Sequence, residues 1–137
     1  MTAPPFIHLH VHSDYSPMRG VSSLDELCTS ARQQGAQAMA LTDTNGLYGA
    51  IRLVEQAKQL GIRPILDAEL TTTDHRAVLL AKIPDGYANL CRVLSERHCS
   101  SSFEFFASVS RYRAGLIIFT DDKTALMAWV KDSRQDL

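Results

Sequence analysis

The chain has 137 residues, 45% of them hydrophobic, and a domain of roughly 150 residues buries about 70% of the surface its extended chain exposes, so one domain with a real core is expected. Lys and Arg number 14 against 15 Asp and Glu, and the net charge of −1 excludes an overall electrostatic footprint for nucleic acid or anionic membrane; any DNA contact must be local or supplied by a partner. Cys28, Cys91 and Cys99 are odd in number and lack CxxC spacing, which argues for a reducing compartment and against a thiolate zinc site, with Cys28 and Cys91 read as small core residues. No apolar run approaches the ~20 residues of a membrane span, and Met1 to Pro5 lacks the charged and apolar regions of a signal peptide, so a cytoplasmic location is expected.

Phe6 to Ser16 opens the pattern of elements. His8, His10 and His12 alternate with Ile7, Leu9 and Val11, and in a buried strand this puts the three imidazoles on one face. Two imidazoles two residues apart on a strand face can grip one divalent ion. An exposed His-rich edge, or a hydrogen-bonded buried trio, fits the same stretch. Ser22 to Glu26 then carries capping-box spacing in two registers, and Leu24, Leu27, Cys28 and Ala31 recur at helical intervals, giving a first helix from Leu24 to Gln34 stopped by Gly35. Ala38 to Thr42 reads as a short buried strand ending in Asp43, followed by a turn at Asn45-Gly46. Leu47, Ala50, Ile51, Val54 and Ala57 form the stripe of a second helix stopped by Gly61, and Arg63 to Leu70 is a third strand.

This β-α-β-α-β alternation predicts a mostly parallel sheet covered by helices, with working residues gathered at the carboxyl ends of the strands, where His10, His12, Asp43 and Glu69 fall. Thr71 to Asp74 is turn-like, and Ala77 to Ala81 is a fourth strand paired back on the third. Tyr87, Leu90, Cys91 and Leu94 mark a third helix ending near His98. Phe103 to Arg113 carries only a weak helical stripe. Gly115 to Phe119 reads as a buried strand, and Asp121 or Asp122 caps a last helix carrying Ala125, Leu126 and Trp129. These elements are too few to close a parallel barrel.

The segments His8-Leu-His-Val-His-Ser-Asp-Tyr-Ser16, Ala40-Leu-Thr-Asp43, Asn45-Gly-Leu-Tyr-Gly49, Gly61-Ile-Arg-Pro-Ile65 with Glu69, and Leu79-Leu-Ala-Lys82 followed by Gly86-Tyr-Ala-Asn-Leu90 resemble, in order and spacing, the PHP (polymerase and histidinol phosphatase) domain. The form found in bacterial DNA polymerase III alpha subunits is the most similar, over roughly residues 6 to 94. The resemblance implies an α/β fold, a partial PHP-type (distorted TIM-like) β/α barrel, forming one domain over 1–137 that belongs to a longer barrel and a longer polymerase chain. It also implies strand ends that hold a cluster of zinc, manganese or iron ions for phosphoester hydrolysis. Such a cluster neutralises phosphate charge, generates hydroxide near pH 7 and stabilises the leaving oxygen. By matching, His10 and His12 are the family's HxH metal pair, Glu69 its carboxylate ligand and Asp43 its acidic residue after the second strand, although Asp43 equally suits a helix cap.

The sequence departs from that pattern at several positions. Arg19 stands before Gly20 where the polymerase members have Asp, and Thr44 replaces a His beside Asp43. Arg76 occupies the place of a further His, with His75 one residue early and therefore on the opposite face of a strand unless a bulge intervenes. Asp67 replaces the usual Gly before Glu69, returning a carboxylate to the site or pairing with an arginine. Two unit charges about 4 Å apart are worth about 4 kcal/mol at an effective dielectric of ~20, so a guanidinium at that distance from a divalent ion meets roughly 8 kcal/mol of repulsion. Either Arg19 replaces the metal and satisfies Glu69 or Asp67, or it turns out to solvent.

The expectation is a PHP domain of a DNA polymerase III alpha-like protein with a degenerate metal site, holding zinc, manganese or no ion, and a structural or docking role toward the rest of the polymerase chain or other replication subunits. DNA would be met through the parent, the membrane not at all, and the isolated chain would homodimerise to cover apolar edges. Two alternatives stand beside it. One is an active metal-dependent phosphoesterase or 3′–5′ exonuclease using His10, His12 and Glu69. The other is a metal-free protein- or nucleotide-binding module working through a rim of His8, Tyr15, Tyr48, Arg19 and His75.

Overall fold

The computed structural model describes residues 6–135. Helix α1 (Leu24–Gln33) begins at a capping box: the Glu26 amide donates to Ser23 Oγ at 3.3 Å, and the Ser23 amide donates back to the Glu26 carboxylate at 2.9 Å. Strand β1 (Ala38–Leu41) follows, then helix α2 (Ala50–Leu60), which ends at Gly61 with φ +67°, a left-handed turn that glycine adopts without strain. Ala50, Leu53 and Ala57 are the buried residues of α2, and Leu53 and Ala57 pack with Leu24, Cys28, Met39 and Leu41. The expected stripe is shifted, since Ile51 is 77% exposed and Val54 39%. Cys28 is buried, Cys91 half-buried, and all three cysteines are free thiols.

Strand β2 (Arg63–Thr71) runs parallel to β1, and β3 (Arg76–Ala81) runs antiparallel to β2 through the turn at 72–75, in which the Thr72 amide donates to the His75 carbonyl at 2.8 Å. Helices α3 (Pro84–Cys99) and α4 (Phe105–Tyr112) lead to β4 (Leu116–Phe119), antiparallel to β3, and α5 (Lys123–Gln135) comes last. The sheet order is β1-β2-β3-β4 and it is not closed. The expected mostly parallel sheet is corrected: one of the three pairings is parallel and two are antiparallel. A tight turn sends β3 straight back. A single crossover helix would return the chain parallel, but the second helix between β3 and β4 adds one more reversal.

The histidine segment is likewise not a buried strand. It lies along β1, with the Ala40 amide on the His8 carbonyl at 3.1 Å and the Thr42 amide on the Val11 carbonyl at 2.8 Å. Its regular ladder fails where Thr42 Oγ1 accepts the Val11 amide at 2.8 Å, a hydroxyl taking the place of a strand carbonyl. Leu9 is 43% exposed.

One face of β2 and β3, through Ala68, Leu70, Ala77 and Leu79, packs under α3, α4 and α5, where Phe105 stacks on Trp129 at 5.6 Å between ring centroids. The opposite face carries Ala40, Ile65, Val78 and Leu80 and opens into an apolar groove of about 730 Å³ lined also by Leu9, Tyr87, Ile117 and Phe119. Strand β4, expected to be buried, is an edge strand whose residues alternate: Leu116 and Ile118 face the helices while Ile117 is 50% exposed. The weak stripe of 103–113 resolves into α4, held by Phe105 and Val109. Asp122 caps α5, its Oδ1 accepting the amides of Thr124 at 2.8 Å and Ala125 at 3.1 Å. Among the described residues no helix is long and apolar enough to cross a membrane.

Candidate functional site

The carboxyl ends of β1 and β2 lie side by side, and the chain beyond β1 stays bound to β2: the Glu69 amide donates to the Asp43 carbonyl at 3.2 Å and the Asn45 amide to the Glu69 carbonyl at 2.8 Å. This fixes Glu69, 1% exposed, as the floor of the site. His10 Nε2 stands 3.4 Å from Glu69 Oε1 and His12 Nε2 3.4 Å from Oε2. The imidazoles meet edge to face at 5.0 Å between centroids. Burial lowers the pKa of His12, against the pull of the Glu69 charge, so its neutral form, the form that ligates a metal, is favoured.

These three residues offer ligand atoms that all lie within 4.8 Å of one another. A tetrahedral ion with ligand bonds of ~2.05 Å spaces its donors about 3.3 Å apart, close to the two 3.4 Å separations here. The spacing therefore suits one divalent ion; among the described residues it is too small a donor set for a cluster of two or three.

Arg19 stands in the way of that ion. Its Nη1 donates to Glu69 Oε2 at 3.0 Å, the same oxygen that Thr44 Oγ1 approaches at 3.4 Å and His12 faces. The loop that delivers it is tightly built. The amides of Arg19 and Gly20 both donate to the Ser16 carbonyl, at 3.0 and 2.9 Å, Met18 is left-handed with φ 62°, and a Cβ on Gly20 would fall 1.8 Å from the Ser13 carbonyl oxygen. With a guanidinium bonded to its carboxylate, the site does not fit a divalent cation in this arrangement.

Asp43 lies outside this group of three donors and is hydrogen-bonded to the loop. Its carboxylate accepts the Ser13 amide at 2.8 Å, Ser13 Oγ at 2.7 Å and Ser16 Oγ at 2.7 Å, while Ser16 Oγ accepts the Thr44 amide at 2.9 Å. Asp43 thus ties the loop carrying Arg19 to the end of β1. Ser13 and Ser16, both buried, were not singled out from sequence; the signal was two hydroxyls directly after a histidine run, whose partner lies thirty residues away.

The remaining positions fall around this core or outside it. Arg76 binds Asp121, with Nε 2.8 Å from Oδ1, and lines a cavity of about 180 Å³ together with His10, Glu69 and Thr120. His75 is not in the donor cluster; its Nδ1 lies 2.6 Å from Asp122 Oδ2 and its ring sits against Phe105 and Phe106. His8 is exposed and contacts the Phe6 ring, while Tyr15 and Tyr48 are 39% and 65% exposed. Among the described residues Asp67 pairs with no arginine. It is 2% exposed, neither carboxyl oxygen has a hydrogen-bond partner, and burial pushes its pKa up to about 9. The Asp43 charge adds to that shift, and the Leu41 amide works against it without completing a hydrogen bond.

Residues 8–131 match the PHP domain, and the chain belongs to that family. Its relatives include the error-prone DNA polymerase of Symbiobacterium thermophilum, 47% identical over 94 residues, which cover 68% of this chain and 9% of that protein. The DNA polymerase III subunit alpha of Buchnera aphidicola is 37% identical over 105 residues, covering 72% of this chain and again 9% of the relative. The chain thus spans under a tenth of the length of these relatives and is homologous to one part of DNA polymerase III alpha subunits and error-prone DNA polymerases. Among solved structures, an amidohydrolase from Chromobacterium violaceum aligns with a TM-score of 0.50 and 26% identity, covering 66% of this chain and 34% of that one. A candidate metal-dependent phosphoesterase from Bifidobacterium adolescentis shares the fold, with a TM-score of 0.50 at 15% identity, covering 82% of this chain and 45% of that one.

Proposed function

We propose that this chain is the PHP domain of a cytoplasmic DNA polymerase III alpha-like protein, that it forms the first part of a barrel completed elsewhere, and that it serves its polymerase as a scaffold or docking surface. Nucleotide transfer and DNA contact belong to the parent protein. The observation that carries the reading is the state of the donor set: three donors stand together, Asp43 is hydrogen-bonded by two serines, and Thr44 and Arg76, where the resemblance would place histidines, bring a hydroxyl and a guanidinium. Hydrolysis of a phosphoester by a metal cluster needs more ligands than these.

The test is metal content of protein purified without chelator, together with hydrolysis of a 3′-labelled DNA strand in zinc or manganese, for wild type and His10→Ala/His12→Ala. The expected result is metal well below stoichiometric and no hydrolysis that distinguishes the two proteins. Hydrolysis lost in the double variant would overturn the scaffold reading in favour of the phosphoesterase, which the 3.4 Å spacing of the donors favours.

A further inference from the structure

We infer that Arg19 is the resident cation of this site: its guanidinium holds the Glu69 carboxylate in the position a divalent ion would otherwise occupy, so that Arg19 and a metal exclude each other over a donor set that is already spaced for one ion. The inference rests on the scaffold reading above and supplies a cause for the low metal content that reading expects. Four features carry it. A carboxylate buried to 1% exposure needs a positive partner, and Arg19 Nη1 at 3.0 Å supplies it in the form of a fixed charge and a directed donor. His10, His12 and Glu69 keep metal-like separations despite the intruding guanidinium. The arginine is delivered by a loop with a left-handed Met18, a Gly20 that admits no Cβ, and an Asp43 anchor at both Ser13 and Ser16, so the backbone that presents it beside Glu69 is held in place. Its side chain is nonetheless 43% exposed, with room to leave the carboxylate if the charge balance changed.

The consequence is a gain of function by deletion. Removing the guanidinium leaves Glu69 buried without a cation and uncovers two imidazoles and a carboxylate on one small volume. That is three protein ligands with a fourth direction open to water.

The experiment titrates zinc alone into wild type, Arg19→Ala, Arg19→Lys, and Arg19→Ala combined with His10→Ala/His12→Ala, by calorimetry, with thermal unfolding recorded in chelator and in zinc. The last protein subtracts zinc bound by the thiols and the other histidines. Arg19→Ala is expected to bind one zinc at least about a hundredfold more tightly than wild type. Its unfolding temperature should fall in chelator and be restored by zinc, whereas wild type should respond to neither. Arg19→Lys, which keeps the charge, should stay metal-poor. If Arg19→Ala proves too unstable to purify, Arg19→Gln keeps the length and a donor while removing the charge, with the same expectation. Wild type binding zinc as tightly as Arg19→Ala overturns the inference, as does an Arg19→Ala protein, or its Gln counterpart, that gains no site. Failure of the scaffold reading looks different: it shows as hydrolysis by the wild type, whatever Arg19→Ala binds.

Discussion

Burial without a partner sets the behaviour of Asp67, whose carboxyl is pushed up to about 9 while the unfolded chain releases the same proton near 4. Between those values the folded state keeps a proton that the unfolded state has lost, so stability falls as pH rises across the window and levels off above it. Asp67→Asn should abolish that slope and exceed wild type at pH 8 by about 1–3 kcal/mol. Thermal unfolding at pH 5 and pH 8 decides it: a wild type equally stable at both values, or a variant with the same slope, would show that Asp67 is not the titrating group. At this scale much was legible. His10, His12 and Glu69 were singled out by spacing and resemblance and stand together, while for Arg19 the sequence left a carboxylate or solvent open and the fold puts it on Glu69. The use of Asp43 was not legible, because its partners Ser13 and Ser16 come from a distant loop and a hydroxyl leaves no periodic trace. For Asp67, the sequence offered the site or an arginine, and the fold provides neither.

Elements were read best where periodicity and punctuation agreed. The Ser23–Glu26 box and Gly61 bound α1 and α2 where the sequence placed them, and α3 and α5 follow the same logic. The histidine segment was misread because alternation, the mark of a strand, says nothing of what accepts its amides; Thr42 does, and the ladder breaks. Strand β4 was expected to be buried because four apolar residues in a row look alike whether a sheet continues past them or stops. Contact between elements adds a constraint that neither periodicity nor composition carries. The first turn of α3 passes so close to the loop before β4 that a Cβ on Gly86 would fall 1.9 Å from the Gly115 carbonyl oxygen. Gly86→Ala should therefore cost about 2 kcal/mol or more, measured by urea denaturation, despite alanine's higher helix propensity. A neutral or stabilising result would mean that this approach relaxes at little cost.

At the scale of the molecule, the elements from α1 onward follow the predicted order and the short loop after β2 announced the return of β3, but the direction of β4 was not legible, because it depends on how many times the chain reverses between β3 and β4. What the fold leaves open is one sheet face and one strand edge. Ile117 and Phe119 stand at the margin of the apolar groove, on a strand whose outer side pairs with nothing among the described residues. Exposed edges of this kind template further pairing. The isolated chain is therefore expected to self-associate at concentrations of about tens of micromolar, a mid-range affinity for a modest interface. A lysine at either position, Ile117→Lys or Phe119→Lys, should restore the monomer by placing a charge on the exposed, groove-lining face of the edge strand. Sedimentation velocity across a dilution series checks this, and a wild type that stays monomeric throughout would refute it.

Trp129 turns the division of the interior into something that can be watched. It is the only tryptophan in the chain, 8% exposed and stacked on Phe105, on the α3–α5 side of the sheet, whereas the α1–α2 side has none. Its emission therefore reports the melting of one side of the protein alone, while circular dichroism averages over every helix. If the two signals trace a single transition, the sheet couples both cores into one cooperative unit; if the fluorescence change lags or leads, the loop that carries Arg19 belongs to a half that opens by itself.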